Sequence, residues 1–199
     1  MEKDGNGSRL GYYQPNNNGE YLLYLHHIIS FLGYAKPELP KMYMGKDMLG
    51  NSNYKYKFRT YTYRSFNWMY DSFYMKSITK NQDLKFKGEG MRKTMPTNIN
   101  TEIYLTPTAL AMWMMDDGNY TNAGGIKFST NNFTTKDMKY TGSMLKNKYN
   151  MNYSMMKTGS INQYNMYMPK DSVKILMKMI EEYMPPSMYY KMTKKTDNI

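Results

Sequence analysis

Apolar and polar positions alternate with period two in some stretches of this chain and recur with helical spacing in others. Positions 7–14 read as a strand, with Leu10 and Tyr12 on one side and Arg9 and Tyr13 on the other. A turn cluster from Pro15 to Gly19 follows, then a helix over 20–33 carried by Leu22, Leu25, Ile29 and Leu32, with Gly33 where a C-terminal cap belongs. Residues 34–53, with Pro37, Pro40, Gly45 and Gly50, read as a loop with a short strand, and 53–63 as a strong strand. A short helix over 64–74 and a polar, basic loop over 76–92 complete the first half.

The second half opens with a helix over 106–117, which Thr106 can cap and Pro107 can start. A strand over 124–131 comes next, then a helix over 134–148 capped by Thr134 or Thr135. Strands 152–157 and 161–168 turn at Thr158-Gly159-Ser160, and a helix over 169–183 is stopped by Pro185-Pro186. Gly7 matches Gly125, and helix 20–33 matches 136–149, at about the same offset. The pattern reads as an internal duplication: an N-terminal half over 1–100, a C-terminal half over 101–190 and a basic tail over 191–199. The first copy is expected to lack the helix that opens the second, because only Met1-Glu2-Lys3-Asp4 precedes its strand.

The strands carry a one-sided polar face. Lys55, Lys57, Arg59, Tyr61 and Tyr63 alternate with Tyr54, Tyr56, Phe58, Thr60 and Thr62. Lys127, Ser129 and Asn131 face away from Ile126, Phe128 and Thr130, and Gln163, Asn165 and Tyr167 away from Tyr164, Met166 and Met168. A half-solvated antiparallel sheet alternates in this way, but this face is basic, amide or tyrosine and never acidic. With 27 Lys and Arg against 16 Asp and Glu, the formal charge is +11. A polyanionic partner follows, nucleic acid before an anionic membrane surface. The expected contacts are Arg9, Tyr13, Lys55, Lys57, Arg59, Tyr61, Lys127, Ser129, Asn131, Gln163 and Asn165.

The absence of Cys excludes disulfides, thiolate metal sites and Cys nucleophiles, and two adjacent His, His26 and His27, exclude a His-rich metal site. No apolar run approaches the roughly 20 residues that span a bilayer. Met, at 23, outnumbers Ile, as happens where a code reads the A/T-only isoleucine codon as methionine. The expectation is an A/T-rich mitochondrial gene and a product in the mitochondrial matrix.

The sharpest chemistry lies in Leu105-Thr106-Pro107-Thr108-Ala109-Leu110-Ala111-Met112-Trp113-Met114-Met115-Asp116-Asp117-Gly118. This is a capped apolar helix with small residues that admit a second helix, ending in two carboxylates. Carboxylates at a helix C-terminus oppose its dipole. Either a hard divalent cation offsets them, or the Asp-Asp-Gly turn is simply solvated.

The segment resembles the second signature helix of the LAGLIDADG homing endonucleases, in particular their single-chain, mitochondrial intron-encoded subgroup. The likeness extends over Tyr21-Leu22-Leu23-Tyr24-Leu25-His26, Leu32-Gly33-Tyr34, Ser65-Phe66-Asn67-Trp68 and Lys93-Thr94-Met95-Pro96. It continues over 126–134, over Gly159-Ser160-Ile161-Asn162-Gln163-Tyr164 and over 183–191. The resemblance implies an α+β fold, two pseudo-symmetric αββαββα-like halves whose antiparallel sheets form a saddle on nucleic acid. It implies Mg2+ where the protein is catalytic, with Asp117 as metal ligand, Asp116 as the neighbouring acid, and Lys93 and Lys191 as catalytic cations. The first signature helix and its Asp are missing from the pattern, and Glu2 and Asp4 give no reason to be taken as its replacement. Impaired cleavage is therefore expected. Three readings follow: an endonuclease completed by an upstream segment or a second chain that covers helix 106–117, a group I intron maturase, or a domesticated RNA-binding protein of a mitochondrial ribosome.

Overall fold

The computed structural model describes residues 1–46, 49–76, 91–159 and 163–192. It divides into two compact units, Met1–Asp71 and Ser72–Ile199. The sequence boundary expected at 100/101 falls inside the second of these. Ser160, Ile161 and Asn162 of the expected hairpin, most of the 76–92 loop and all but the first two residues of the expected tail lie outside the described residues.

In the first unit, strands β1 (Glu2–Asp4) and β2 (Gly7–Arg9) form a hairpin. The three-stranded sheet has the order β3 (Gly11–Pro15), β5 (Ser52–Arg59), β4 (Met42–Lys46), all antiparallel. The single strands expected over 7–14 and 53–63 are thus each interrupted, and the cause is local. Thr60 Oγ1 accepts the Leu10 N–H at 3.0 Å, where a backbone carbonyl would continue the ladder. Pairing resumes beyond the break, with Ser8 and Tyr63 exchanging two backbone hydrogen bonds of 3.0 Å.

Helix α1 (Gly19–Phe31) packs on β3 and β5. Its Tyr21, Leu22 and Leu25 are buried, as are Ala35, Phe58 and Phe66. His26 is a core residue: its Nε2 lies 2.9 Å from the Lys36 carbonyl and its ring stands edge-on to Phe58. The helix ends in a Schellman motif. Gly33 takes a φ of +78°, its N–H bonds to the Ser30 carbonyl, and the Tyr34 N–H bonds to that of Ile29. A 3-10 turn (Arg64–Phe66) leads into α2 (Asn67–Phe73), which the domain division cuts at Asp71.

In the second unit, β6 (Tyr74–Lys76) pairs with β7 (Met91–Lys93), so the ends of the expected loop form a ribbon. The short α3 (Thr101–Tyr104) precedes α4 (Pro107–Asp117), and the Thr106 hydroxyl caps α4 by accepting the Ala109 N–H at 3.2 Å. An antiparallel sheet has the order β10 (Ser154–Lys157), β11 (Tyr164–Met168), β9 (Ile126–Phe128), β8 (Gly118–Tyr120). Strand β8 follows α4 directly and was not evident in the sequence. Helix α5 (Thr135–Tyr149) starts at a capping box between Thr134 and Asp137. Helix α6 (Lys170–Ile180) and a 3-10 turn (Glu181–Tyr183) replace the single helix expected over 169–183.

The core of this unit is unusually rich in methionine: Met114, Met115, Met138, Met144, Met151, Met166, Met168, Met184 and Met188 are all buried. Unbranched thioethers fill irregular gaps that shaped side chains would not. No helix among the described residues is long and apolar enough to cross a membrane.

Candidate functional site

Helix α4 buries Leu110, Ala111, Met114 and Met115 and packs against α6 and the 3-10 turns that follow it. That packing fixes the C-terminal end of the helix, where Asp116 is exposed and Asp117 half-buried. The Asp117 carbonyl accepts the Ser129 N–H at 3.0 Å, which ties the end of α4 to the end of β9. The last 3-10 turn (Pro186–Lys191) brings in Lys191, only 7% exposed, whose Nζ donates to the Asp116 carbonyl at 3.3 Å. A cation at this place offsets the negative end of the helix dipole. Part of the compensation that the sequence left to a divalent cation or to solvent is therefore supplied by a lysine.

Lys93, at the end of β7, and Lys191 both act electrostatically on Asp117. Burial pushes the Asp117 carboxyl above the ordinary value, and the charges of Lys93 and Lys191 pull against it without prevailing. Burial pushes the Lys191 ammonium down, opposed by Asp116 and Asp117. The structure thus brings together Asp117, Lys93 and Lys191, with Asp116 beside them. Asp117 and Lys93 line a cavity of about 240 Å3 together with chiefly apolar side chains including Leu105, Trp113, Phe133, Met138 and Met166.

Among the described residues no three His, Cys, Asp or Glu side chains gather to hold a metal. The donor set at the site is one half-buried carboxylate with an exposed one next to it. Mg2+ is commonly held by one or two carboxylates together with substrate phosphates and water. Asp117 fits that role only with oxygens from a bound polynucleotide.

In the first unit, strand alternation places Lys55, Lys57 and Arg59 on one face of the sheet. Register brings Tyr13 opposite Lys57 and Tyr43 opposite Lys55. The Lys57 ammonium sits 4.6 Å from the centre of the Tyr43 ring. Tyr61 lies beyond the end of β5 and is exposed. The expectation of a face without acids is wrong here. The β1–β2 hairpin brings Glu2 and Asp4 against Arg9, and Glu2 against Arg59. Two of the expected phosphate contacts are therefore paired within the chain.

In the second unit, Lys127 and Tyr167 are register partners and share the outward face with Asn119. Ser129 is exposed, while Asn131 lies past the strand in a turn. Gln163 precedes β11, and its carbonyl accepts the Thr158 N–H at 3.0 Å. Asn165 departs from the expectation of a freely exposed amide, because its Oδ1 is buried and without a hydrogen-bond partner among the described residues. The sequence reading missed Tyr43, because it left 34–53 as a loop with a short strand of no stated position. It also missed Asp137, although the Thr-x-x-Asp capping pattern at 134–137 was legible.

The chain as a whole is similar to known proteins. A profile of the LAGLIDADG DNA endonuclease family matches residues 1–176. The chain is 40% identical over 190 residues to the cytochrome b mRNA maturase bI2 of Debaryomyces hansenii, covering 96% of this chain and 66% of that protein. It is 39% identical to the cytochrome b mRNA maturase bI2 of Saccharomyces cerevisiae, covering 96% of this chain and 43% of that one. It therefore spans less than two thirds of either maturase. The intron-encoded endonuclease ai4 of Dictyostelium discoideum is 35% identical over 164 residues, 80% of this chain and 92% of its own length. The solved structure of the homing endonuclease I-WcaI bound to its DNA recognition sequence is similar with a TM-score of 0.73 at 22% identity, over 97% of this chain and 79% of that one. The mixture of helices and antiparallel sheets is that of the LAGLIDADG fold, and the chain belongs to the LAGLIDADG DNA endonuclease family.

Proposed function

We propose that this chain is an intron-encoded, nucleic-acid-binding LAGLIDADG protein that acts as a maturase, and that it cuts duplex DNA poorly or not at all by itself. The observation that carries this reading is the site on the second unit: one half-buried carboxylate, Asp117, within electrostatic reach of two cations, Lys93 and Lys191. A two-metal cleavage of both strands draws oxygens from more than one acid, and among the described residues this site offers a single half-buried one with an exposed one beside it. The similarity to two bI2 maturases over 96% of the chain supports the RNA-directed reading. The outward Lys55, Lys57 and Lys127, with Ser129, Tyr61 and Asn131 nearby in sequence, would supply the phosphate and base contacts. The maturase names and the excess of Met support a mitochondrial gene.

A second reading is specific to Asp117. Joined to a chain or segment that contributes the other acid, Asp117 would hold Mg2+ with Asp116 in support, and the site would be one half of an endonuclease. The metal would supply an activated water and charge stabilisation at the scissile phosphate. Lys93 and Lys191 would hold phosphate oxygens and position the charge that leaves.

The experiment is a pair of assays on the full chain. Binding and splicing are measured with a group I intron RNA, and cleavage is measured on a plasmid library with Mg2+. The maturase reading expects RNA binding and no site-specific cutting. Cutting that the Asp117→Asn change abolishes would overturn it in favour of the endonuclease.

A further inference from the structure

The carboxylate of Glu2 is the hub of the charged network on the first unit. Its Oε2 accepts from Arg9 Nε and Arg59 Nε, each at 3.1 Å. Its Oε1 accepts from the Tyr13 hydroxyl at 2.9 Å and from Arg59 Nη2 at 3.4 Å. Asp4 completes the cluster by accepting from Arg9 Nη1 at 3.0 Å and from the Thr62 hydroxyl at 2.6 Å. The strand register explains the convergence. Glu2 lies opposite Arg9, and Gly11 lies opposite Arg59. Gly11 leaves the necessary room, since a Cβ there would stand 3.2 Å from Glu2 Oε1 and 3.1 Å from the Tyr13 ring. The Arg59 guanidinium also lies 5.7 Å from the centre of that ring.

Two guanidinium groups and a phenol around a pair of anionic oxygens form the donor set that proteins present to a backbone phosphate. Here the anion is the chain's own. Burial pushes the Glu2 carboxyl up, but the hydrogen bonds from Tyr13, Arg59 and Arg9 outweigh it and hold the group below its ordinary value. Arg9 and Arg59 are answered charge for charge by Glu2 and Asp4, whereas Lys55 and Lys57 lie on the same sheet face outside this network.

We propose that Glu2 is an internal competitor for phosphate, which keeps Arg9, Arg59 and Tyr13 out of backbone contact and leaves Lys55 and Lys57 to bind the polyanion. The inference rests on the reading that this sheet face meets nucleic acid. Glu2 thereby sets how many counterions are released on binding and lowers affinity for arbitrary sequence, so that contacts elsewhere decide where the chain binds.

The test uses the full chain and a random-sequence duplex DNA, with affinity measured by fluorescence anisotropy over a range of NaCl. Each phosphate neutralised adds about 0.9 to the slope of log affinity against log salt. Glu2→Gln is expected to steepen the slope by about 1, since Asp4 still holds Arg9, and to tighten binding about fivefold near physiological salt. Arg59→Gln in the native background is expected to leave the slope unchanged, and in the Glu2→Gln background to remove the gain. This native-background measurement decides the matter even if Glu2→Gln unfolds the hairpin. A slope that falls by about one in Arg59→Gln alone, or weaker binding in a folded Glu2→Gln, would overturn the proposal and make Glu2 a buttress for base contacts. The face itself is tested separately by Lys55→Gln/Lys57→Gln. An unchanged slope there would reject nucleic-acid binding on this sheet, and the competitor role with it.

Discussion

The carboxylate of Asp137 accepts the backbone N–H of Met95 at 3.0 Å and so joins the start of helix α5 to the segment that carries Lys93. The same oxygen accepts the Thr94 hydroxyl at 2.9 Å. The other accepts the Thr134 N–H at 2.9 Å and its hydroxyl at 2.6 Å, closing the capping box. One buried acid therefore serves a helix N-terminus and fixes the strand end beside Asp117.

Asp137→Ala is expected to cost about 2–4 kcal/mol, since it leaves several buried donors unanswered and removes a charged cap. Urea denaturation at neutral pH reads this directly. The pH dependence has a definite sign. Burial pushes the Asp137 carboxyl up, but the hydrogen bonds from Thr134, Met95 and Thr94 outweigh it and hold the group below the ordinary 3.8. Its contribution is fully present above that value and is lost as pH falls through the lower native one. The gap between the native chain and Asp137→Ala should therefore narrow only below about pH 4. A gap that closes nearer pH 6 would mean that another group is responsible.

Asp117→Asn is expected to raise the melting temperature by roughly 1–3 °C at pH 7. Burial raises the Asp117 carboxyl above 3.8 despite the pull of Lys93 and Lys191, so folding disfavours its charged form. The folded state binds the proton more tightly than the unfolded one, and stability falls as pH rises between the two values. The advantage of Asp117→Asn should shrink in acid, where the native carboxyl is itself neutral. Paired melts at neutral and acid pH check this, and a destabilised Asp117→Asn at pH 7 would contradict it.

The limits of sequence reading follow from what each element depends on. Helix α4 was legible because Thr106, Pro107 and the Asp-Asp-Gly ending are local signals that the structure obeys. Helix α5 was legible for the same reason, since its cap is Thr134, one of the two threonines expected there. The Glu2 network was not, because it needs the register of β1 on β2 and of β3 on β5, which the Gly5-Asn6 turn signal alone does not give. The break at Leu10 depends on one hydroxyl, that of Thr60, fifty residues away. The meeting of Asp117 with Lys93 and Lys191 was reached through family likeness. Alternation and periodicity carry no information about a contact made by a strand end, a helix end and a 3-10 turn.

Thr106→Ala is expected to cost about 1 kcal/mol, the usual worth of an N-cap. The Thr106 hydroxyl accepts the Ala109 N–H at 3.2 Å, and Pro107 needs no partner for its nitrogen. Thr106→Ser should retain most of the stability. Thermal melts of the two variants distinguish lost capping from a lost methyl contact, because only capping survives in the serine form.

Gly118→Ala is expected to cost about 1–3 kcal/mol through overpacking. Gly118 has an ordinary φ of −77°, so space, and not backbone angle, is the constraint. An added Cβ would stand 2.7 Å from the Met114 carbonyl oxygen, which caps the helix by accepting the Gly118 N–H, and would also strike the Met114 sulfur. Met114 is fully buried and cannot swing aside without disturbing the core beneath Asp117. Relief would have to come from the backbone at the join of α4 and β8, which carries Asp117. The neighbouring Asn119 is exposed, and Asn119→Ala should change stability by less than about 0.5 kcal/mol. Urea denaturation of the two variants provides the comparison. An equal, small effect at both positions would show that the turn after Asp117 yields easily and does not fix the acid in place.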